Sequence, residues 1–328
     1  MKRKTLQEFL QQALPQYDAL TVIAGDASFR RYFRVSQHGI TYIVMDAPPA
    51  YESVALFVQV GTAFAQAGLN VPEIIEADID AGYLLLSDLG EQTLQTLLTA
   101  FTDKWLPICL ANLLKLQTQG GQHLLELPEY DGQLLLRELS LFPEWFITEL
   151  LQEKLNQDEE VLLQALNRLL IDSALNQPQV WVHRDYHSRN LMPVGEDGLG
   201  IIDFQDAVLG AVTYDLVSLL KDCYVRYPKA TVTRYLKDYY IALVGAELYH
   251  QDFQQFERSF DLMGLQRHLK VLGIFARLAL RDKKTTYLND LPLVMDYIFA
   301  VLGKYPELHC YTPIFQRLAQ VLEDKVLK

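Results

Sequence analysis

Trp181-Val182-His183-Arg184-Asp185-Tyr186-His187-Ser188-Arg189-Asn190-Leu191-Met192, with Gly200-Ile201-Ile202-Asp203-Phe204 close behind, places two carboxylates and an amide in a short polar segment between hydrophobic runs. Trp181-Val182 and Leu191-Met192 read as brief strands. Asp197-Gly198 reads as a hairpin turn, and Gly200 to Ile202 as the return strand. Asp185, Asn190 and Asp203 then stand at the ends of short paired strands, a rigid mount for chemistry.

Phosphoryl transfer needs such a trio. One carboxylate orients the attacking hydroxyl and accepts its proton, while an amide oxygen and a second carboxylate hold magnesium against nucleotide phosphates. The loop from Asp185 to Asn190 is short enough to bring base and metal ligand to one place, and the hairpin returns Asp203 beside them. The competing explanation, a polar loop with accidental spacing, would suit any one of these residues but not the ordered set.

The pattern resembles the catalytic loop of protein kinases and, more closely, of the aminoglycoside phosphotransferase family, which reads His-x-Asp-x-His-x-x-Asn with a later Ile-Asp-Phe. The resemblance implies an α+β, bilobal, protein-kinase-like fold. Its N-lobe is small, with a mainly antiparallel β-sheet and a helix; its C-lobe is larger and mainly helical. It also implies ATP and Mg2+ as cofactors, Asp185 as catalytic base, and Asn190 and Asp203 as metal ligands. The expected lobes are 1–89, nucleotide-binding, and 90–328, catalytic and substrate-binding.

Bulk properties agree. The 328 residues suffice for two lobes, and 50% hydrophobic with 21% charged residues is an ordinary soluble composition. The net charge of -12 and the lack of a long basic stripe argue against nucleic acid as partner. Cys109, Cys223 and Cys310 form no close pair and no metal spacing, which fits a reducing compartment. Gln7, Glu8, Gln11 and Gln12 stand where a signal peptide would need an apolar core, and no apolar run reaches membrane length. A cytoplasmic protein with no membrane and no obligate protein partner is expected.

In the first lobe, Leu6, Phe9, Leu10 and Ala13 recur at helical spacing. Thr21 to Ile23 starts a strand, and Ala24 to Ser28 suits a tight turn. Gly25, Ser28, Phe29 and Arg30 are candidates to face phosphate. Ile40 to Met45 is the strand that carries a phosphate-binding lysine in most relatives, yet it reads Thr41-Tyr42-Ile43-Val44-Met45-Asp46. Arg34 or Arg30 is the candidate replacement cation. Glu52 to Ala67 reads as a helix; Glu52 is either a partner for that cation or a solvated first-turn carboxylate. Val71 to Ile75 and Tyr83 to Leu86 complete the sheet. By resemblance, Ser87, Asp88 and Leu89 lie at the hinge where backbone groups meet the adenine edge.

Helical patterns prevail from Thr93 onward, including Trp105 to Thr118 and Glu160 to Ala174. Leu134 to Phe146 reads as a packed helix and bend, in which Glu138 is a candidate acceptor for substrate hydroxyls and Trp145 a flat platform for a ring. Asp206 and Asp222 are further candidates for the substrate pocket. Asp215, near a helix start, can cap that helix or bind backbone amides of the 183–185 turn. Gly273 permits close helix packing, and a cavity-facing role is open to Arg267 and Arg277.

The acceptor is read from segments spread along the chain. Gly25 to Tyr32, Val44 to Pro49, Arg137 to Phe146 and Asp203 to Ala207 occur in an order that closely resembles the bacterial N-acetylmuramate/N-acetylglucosamine anomeric kinases, a branch of the same family that carries methionine in place of the lysine. What this resemblance implies is ATP-dependent phosphorylation of the anomeric hydroxyl of a small-molecule amino sugar in cell-wall sugar recycling. The alternatives are a kinase of another small alcohol, such as an aminoglycoside, choline or a different sugar, and an inactive nucleotide-binding regulator.

Overall fold

The computed structural model describes residues 3–23, 29–119 and 125–326. Helix α1, Leu6–Ala13, opens on a reciprocal cap: the Thr5 hydroxyl accepts the Glu8 N–H, and the Glu8 carboxylate accepts the Thr5 N–H. Strands β1 (Ala19–Ile23), β2 (Arg31–Gln37), β3 (Ile40–Asp46), β4 (Ile74–Asp78) and β5 (Tyr83–Ser87) follow, with α2 (Val54–Gln66) between β3 and β4. They form one sheet in the order β1-β2-β3-β5-β4, every neighbouring pair antiparallel.

Side chains on alternate residues of a strand point to opposite faces, and the sheet uses both. Val44 and Leu85 pack with Phe9 and Leu10 of α1, whereas Met45, Leu84 and Leu86 pack with Phe57, Val60 and Phe64 of α2. The fourth strand begins at Ile74 rather than Val71, beyond Pro72, which has no N–H to give a ladder.

The second lobe is helical: α3 (Leu94–Ala100), α4 (Thr102–Gln119), α5 (Gly132–Leu141), α6 (Gln157–Leu175), α7 (Tyr214–Leu220), α8 (Lys229–Gly245), α9 (Phe253–Leu280), α10 (Leu291–Lys304) and α11 (Thr312–Lys325). Two small ladders interrupt it. β6 (Gln179–Val182) pairs with β9 (Val208–Ala211), and β7 (Leu191–Val194) pairs with β8 (Gly198–Ile201). The hairpin turn lies at 195–197, with Gly195 at φ 62°, so Gly198 is already in the return strand opposite Val194.

The segment around β8 ties the lobes together. The Ile201 N–H donates to the Asn70 carbonyl at 2.9 Å. Phe204, fully buried, meets Phe57 and Phe64 of α2 with ring centroids 4.7 and 5.7 Å apart. One hydrophobic core therefore runs from the sheet and α2 through Trp181 and Phe204 to α4 and α8. A second core gathers α5, α6, α9, α10 and α11. This is the bilobal α+β arrangement expected from the sequence. Among the described residues no helix is long and apolar enough to cross a membrane.

Candidate active site

The loop between β6 and β7 is held in a constrained turn. Arg184 adopts φ 73°, and both amides around it are taken by one buried carboxylate. Asp215 Oδ2 accepts from the His183 N–H at 2.6 Å and Oδ1 from the Arg184 N–H at 3.1 Å. Asp215 thus binds the 183–185 turn, one of the two roles open to it from sequence. Burial pushes its carboxyl up to about 7, against the pull of those amides. His183, also fully buried, is held neutral by burial, its value driven down to about 4. Its Nδ1 lies 3.2 Å from the Asp185 N–H and its Nε2 3.0 Å from the Ile202 carbonyl, a pattern that assigns the proton to Nε2. His183 therefore fastens the loop to the segment that carries Asp203.

Asp185, Asn190 and Asp203 come together. Asn190 Nδ2 donates to the Asp185 carbonyl at 3.0 Å and lies 3.5 Å from Asp203 Oδ2, which leaves the Asn190 amide oxygen for a cation. Gln205 Nε2 holds Asp203 Oδ1 at 2.8 Å. Asp203, at φ 64°, opens to solvent at the floor of the cleft. The enclosing walls push its carboxyl up to about 6; the like charge of Asp185 adds to the shift, while Gln205 and Arg30 oppose it. An oxygen-only pair, one amide and one carboxylate, fits magnesium, which keeps several positions for water and phosphate oxygens. Among the described residues no cluster of three or more His, Cys, Asp or Glu side chains forms a closed metal cage.

Behind Asp185 lies a cationic cluster. Its side chain is 41% exposed, with Oδ1 3.9 Å from Nη2 of Arg267. Arg267 Nη1 donates to the Arg184 carbonyl at 2.8 Å and to the Tyr214 hydroxyl at 3.2 Å. Enclosure alone would raise the Asp185 carboxyl, but Lys270, Arg267, His187 and Arg184 outweigh it and hold the value down to about 2.

Two substrate candidates are corrected. Glu138 is 6% exposed, and its oxygens are taken by the Tyr130 hydroxyl, Arg184 and Lys270, the last at 2.9 Å. Buried and engaged by three partners, it braces Arg184 of the loop instead of standing open to a sugar hydroxyl. Asp222, 1% exposed, accepts from the Ser188 N–H at 2.8 Å and the Tyr224 N–H at 2.7 Å, so it too holds the loop from behind. Asp206 is exposed near Asp203, and its carbonyl receives Arg184 Nη1 at 3.3 Å. Trp145, half-buried, packs on the second core from a π-helical stretch, Phe142–Leu150.

In the N-lobe, Gly25 and Ser28 lie outside the described residues. Phe29 is exposed and stacks on Tyr51. Arg30 Nη2 pairs with Glu52 Oε2 at 2.6 Å, and the Arg30 guanidinium also hydrogen-bonds Tyr32, the residue opposite Met45 in the sheet. Arg34 is corrected: it grips Asp88 with two nitrogens, the Gly90 carbonyl at 2.9 Å and Glu91, and is therefore a hinge brace rather than a phosphate cation. The Ser87 hydroxyl accepts from the Glu73 N–H, and Asp88 accepts from the Gly90 N–H. Leu89 lies over Gly200, where an added Cβ would come within 2.8 Å of its Cδ1 and move that side chain.

Two features escaped the sequence reading, Lys270 and the bonding role of His183, whereas the Arg30–Glu52 pair is one of the two roles left open to Glu52. Lys270 had a signal, a second cation three residues from Arg267 on the same helix. His183 was visible as the first histidine of the loop motif, but its bonds to the Asp185 amide and the Ile202 carbonyl were not.

Comparison with known proteins agrees with this geometry. The family model described as "Phosphotransferase enzyme family" matches residues 19–250. An N-acetylmuramate/N-acetylglucosamine kinase of Pseudomonas putida is 45% identical over 292 residues, covering 88% of this chain and 85% of its own. Its counterpart in Neisseria meningitidis serogroup B is 39% identical over 332 residues, covering 98% and 97%. In fold, the chain resembles a choline kinase of Streptococcus pneumoniae, with a TM-score of 0.61 at 14% identity, covering 90% of this chain and 98% of the other. The chain belongs to the phosphotransferase enzyme family and, within it, to the group of N-acetylmuramate/N-acetylglucosamine kinases.

Proposed function

We propose that this protein transfers the γ-phosphoryl group of ATP to the anomeric hydroxyl of N-acetylmuramate, N-acetylglucosamine or both, in cell-wall sugar recycling. The observation that carries the reading is the meeting of Asp185, Asn190 and Asp203 through one amide, with Asn190 Nδ2 at 3.0 Å from the Asp185 carbonyl and 3.5 Å from Asp203. The identity of 45% to a kinase of that name supports the acceptor. The reading places the nucleotide-binding lobe at 1–89 and the catalytic and substrate-binding lobe at 90–328. The free thiols of Cys109, Cys223 and Cys310 agree with a reducing, cytoplasmic setting.

In the mechanism, the anomeric oxygen attacks the γ-phosphorus, the bond from that phosphorus to the β–γ bridging oxygen breaks, and ADP leaves. Asp185 orients the hydroxyl and takes its proton. A carboxylate held near 2 is a weak base at equilibrium, so the proton moves late, as the new P–O bond acidifies the oxygen. Asn190 and Asp203 are the residues to hold magnesium, which when bound would neutralise charge on the β- and γ-phosphates. Arg30, braced by Glu52, supplies the cation that strand β3 lacks, reaching the phosphates from the preceding loop. The Ser87–Asp88–Leu89 backbone receives the adenine edge, Asp206 a sugar hydroxyl, and Trp145 borders the acceptor.

A phosphate-transfer assay with magnesium-ATP over N-acetylmuramate, N-acetylglucosamine, glucose, choline and kanamycin tests the proposal, with Asp185→Asn in parallel. Anomeric phosphate on the amino sugars, reduced by about 10²–10⁴ in the variant, is expected. Transfer only to choline or kanamycin would overturn the acceptor. Nucleotide binding without transfer to any acceptor would make the chain a regulator.

A further inference from the structure

Arg189 stands in the catalytic loop between the buried Ser188 and the Asn190 amide, and the mechanism above gives it no task. Its guanidinium carbon lies 3.6 Å from the ring centroid of Tyr224 and 5.5 Å from that of Tyr287. Its Nε donates to Gln95 Oε1 at 3.1 Å. The platform is built, not incidental. The two oxygens of the buried Asp222 bind the Ser188 and Tyr224 amides, so the loop and the ring hang on the same carboxylate. Tyr224 then packs against His187 on one side and Phe275 on the other, and Phe275 against Tyr287.

A guanidinium packed over the Tyr224 ring and held at Nε is restrained in orientation, and its remaining N–H groups form a fork that matches a carboxylate. Among the described residues no acceptor or carboxylate stands within hydrogen-bond or ion-pair distance of either Nη atom of Arg189, whose charge is felt at Asp290. The other cations around the site are committed: Arg184 and Lys270 to Glu138, Arg267 to Asp185, Arg30 to Glu52. The cleft also carries Asp185, Asp203 and Asp206, so an acidic acceptor entering it needs a cation of its own.

We infer that Arg189 binds the lactyl carboxylate of N-acetylmuramate and sets the preference for that sugar over N-acetylglucosamine, which has no carboxylate. The inference rests on the amino-sugar reading proposed above. Arg189 precedes the metal ligand directly, so a carboxylate bound there fixes the sugar ring within one residue of the phosphoryl-transfer site.

The test is kcat/KM for N-acetylmuramate, its methyl ester and N-acetylglucosamine, on the unmodified protein, Arg189→Ala and Arg189→Lys. The ratio of N-acetylmuramate to N-acetylglucosamine should fall at least tenfold in Arg189→Ala and recover in part in Arg189→Lys. The ester should be at least tenfold poorer than the acid for the unmodified protein, and this penalty should vanish in Arg189→Ala. Because ratios are read, a general loss from disturbing Asn190 cancels. Unchanged ratios, or equal use of acid and ester by the unmodified protein, would overturn the role of Arg189 while leaving the kinase reading intact. An unmodified protein that phosphorylates neither amino sugar would overturn the reading itself, and the inference with it.

Discussion

Asp185 shows how a single residue draws its chemistry from groups distant in sequence. Its carboxyl would titrate higher in that enclosure but for Lys270 and Arg267 on α9 and the neighbouring His187 and Arg184. Because the folded value, about 2, lies below the ordinary 3.8, the charged side chain stabilises the fold above about pH 4, and the contribution is lost as pH falls from 4 towards 2. Asp185→Asn should therefore be less stable than the unmodified protein at pH 7, with the gap closing below pH 4. Denaturant unfolding of both proteins at pH 7, 5, 4 and 3 measures it. A gap independent of pH, or a more stable variant at pH 7, would remove the cationic cluster from this role. The sequence exposed Asp185, Asn190 and Asp203 because their spacing along one loop and hairpin carries their geometry. Glu138 and Asp222 were misread as substrate ligands because their actual partners, Lys270 on α9 and the Ser188 and Tyr224 amides, are set by tertiary packing. A lone acidic residue in a helix looks the same in either role.

At the scale of elements, α9 is the part that positions the cluster, and Gly273 is where it is seated. A Cβ built there would lie 2.4 Å from the carbonyl carbon and oxygen of Leu141, backbone atoms at the junction of α5 with the π-helical stretch. Backbone cannot turn aside as a side-chain end can, so Gly273→Ala has to push α9 away. Overpacking of this kind costs about 1–3 kcal/mol or more. The displacement should also be felt at Arg267 and Lys270, one to two turns earlier on the helix. The expected result is a lower melting temperature together with a kcat that falls more than nucleotide affinity does. A variant with wild-type stability and kcat would show that α9 tolerates displacement. Gly273 was readable as a close-packing position, whereas the element it meets was not. Pro143 signals a helix end, yet the chain continues in wide turns, with the Leu151 N–H reaching back to the Phe146 carbonyl at 3.0 Å. Strand β9 was likewise hidden: Val208 to Ala211 is short, and its ladder partner β6 lies across the whole catalytic segment.

For the whole molecule, the division into lobes describes topology more than stability. The N-lobe helix α2 buries Phe57 and Phe64 against Phe204, and Phe64 also stacks 5.8 Å from Trp181, both residues of the C-lobe. Gly61 of the same helix leaves a gap that the Phe204 ring fills, with 3.0 Å to the position of an added Cβ. A small antiparallel sheet with two helices has limited core of its own, so much of its stability comes from this shared surface. The two lobes should then unfold in one cooperative transition by calorimetry, with calorimetric and van't Hoff enthalpies in agreement. Magnesium-ATP, on the proposed reading a ligand of both lobes, should move that single transition upward by linkage rather than split it. Phe204→Ala removes a fully buried ring and should cost about 3–5 kcal/mol. Because the loss falls at the junction, it should also separate the transition into an early step for residues 1–89 and a later one for the helical lobe. Two transitions in the unmodified protein, or a Phe204→Ala melt that shifts without splitting, would show that each lobe holds itself together and that the aromatic junction only orients the segment that carries Asp203.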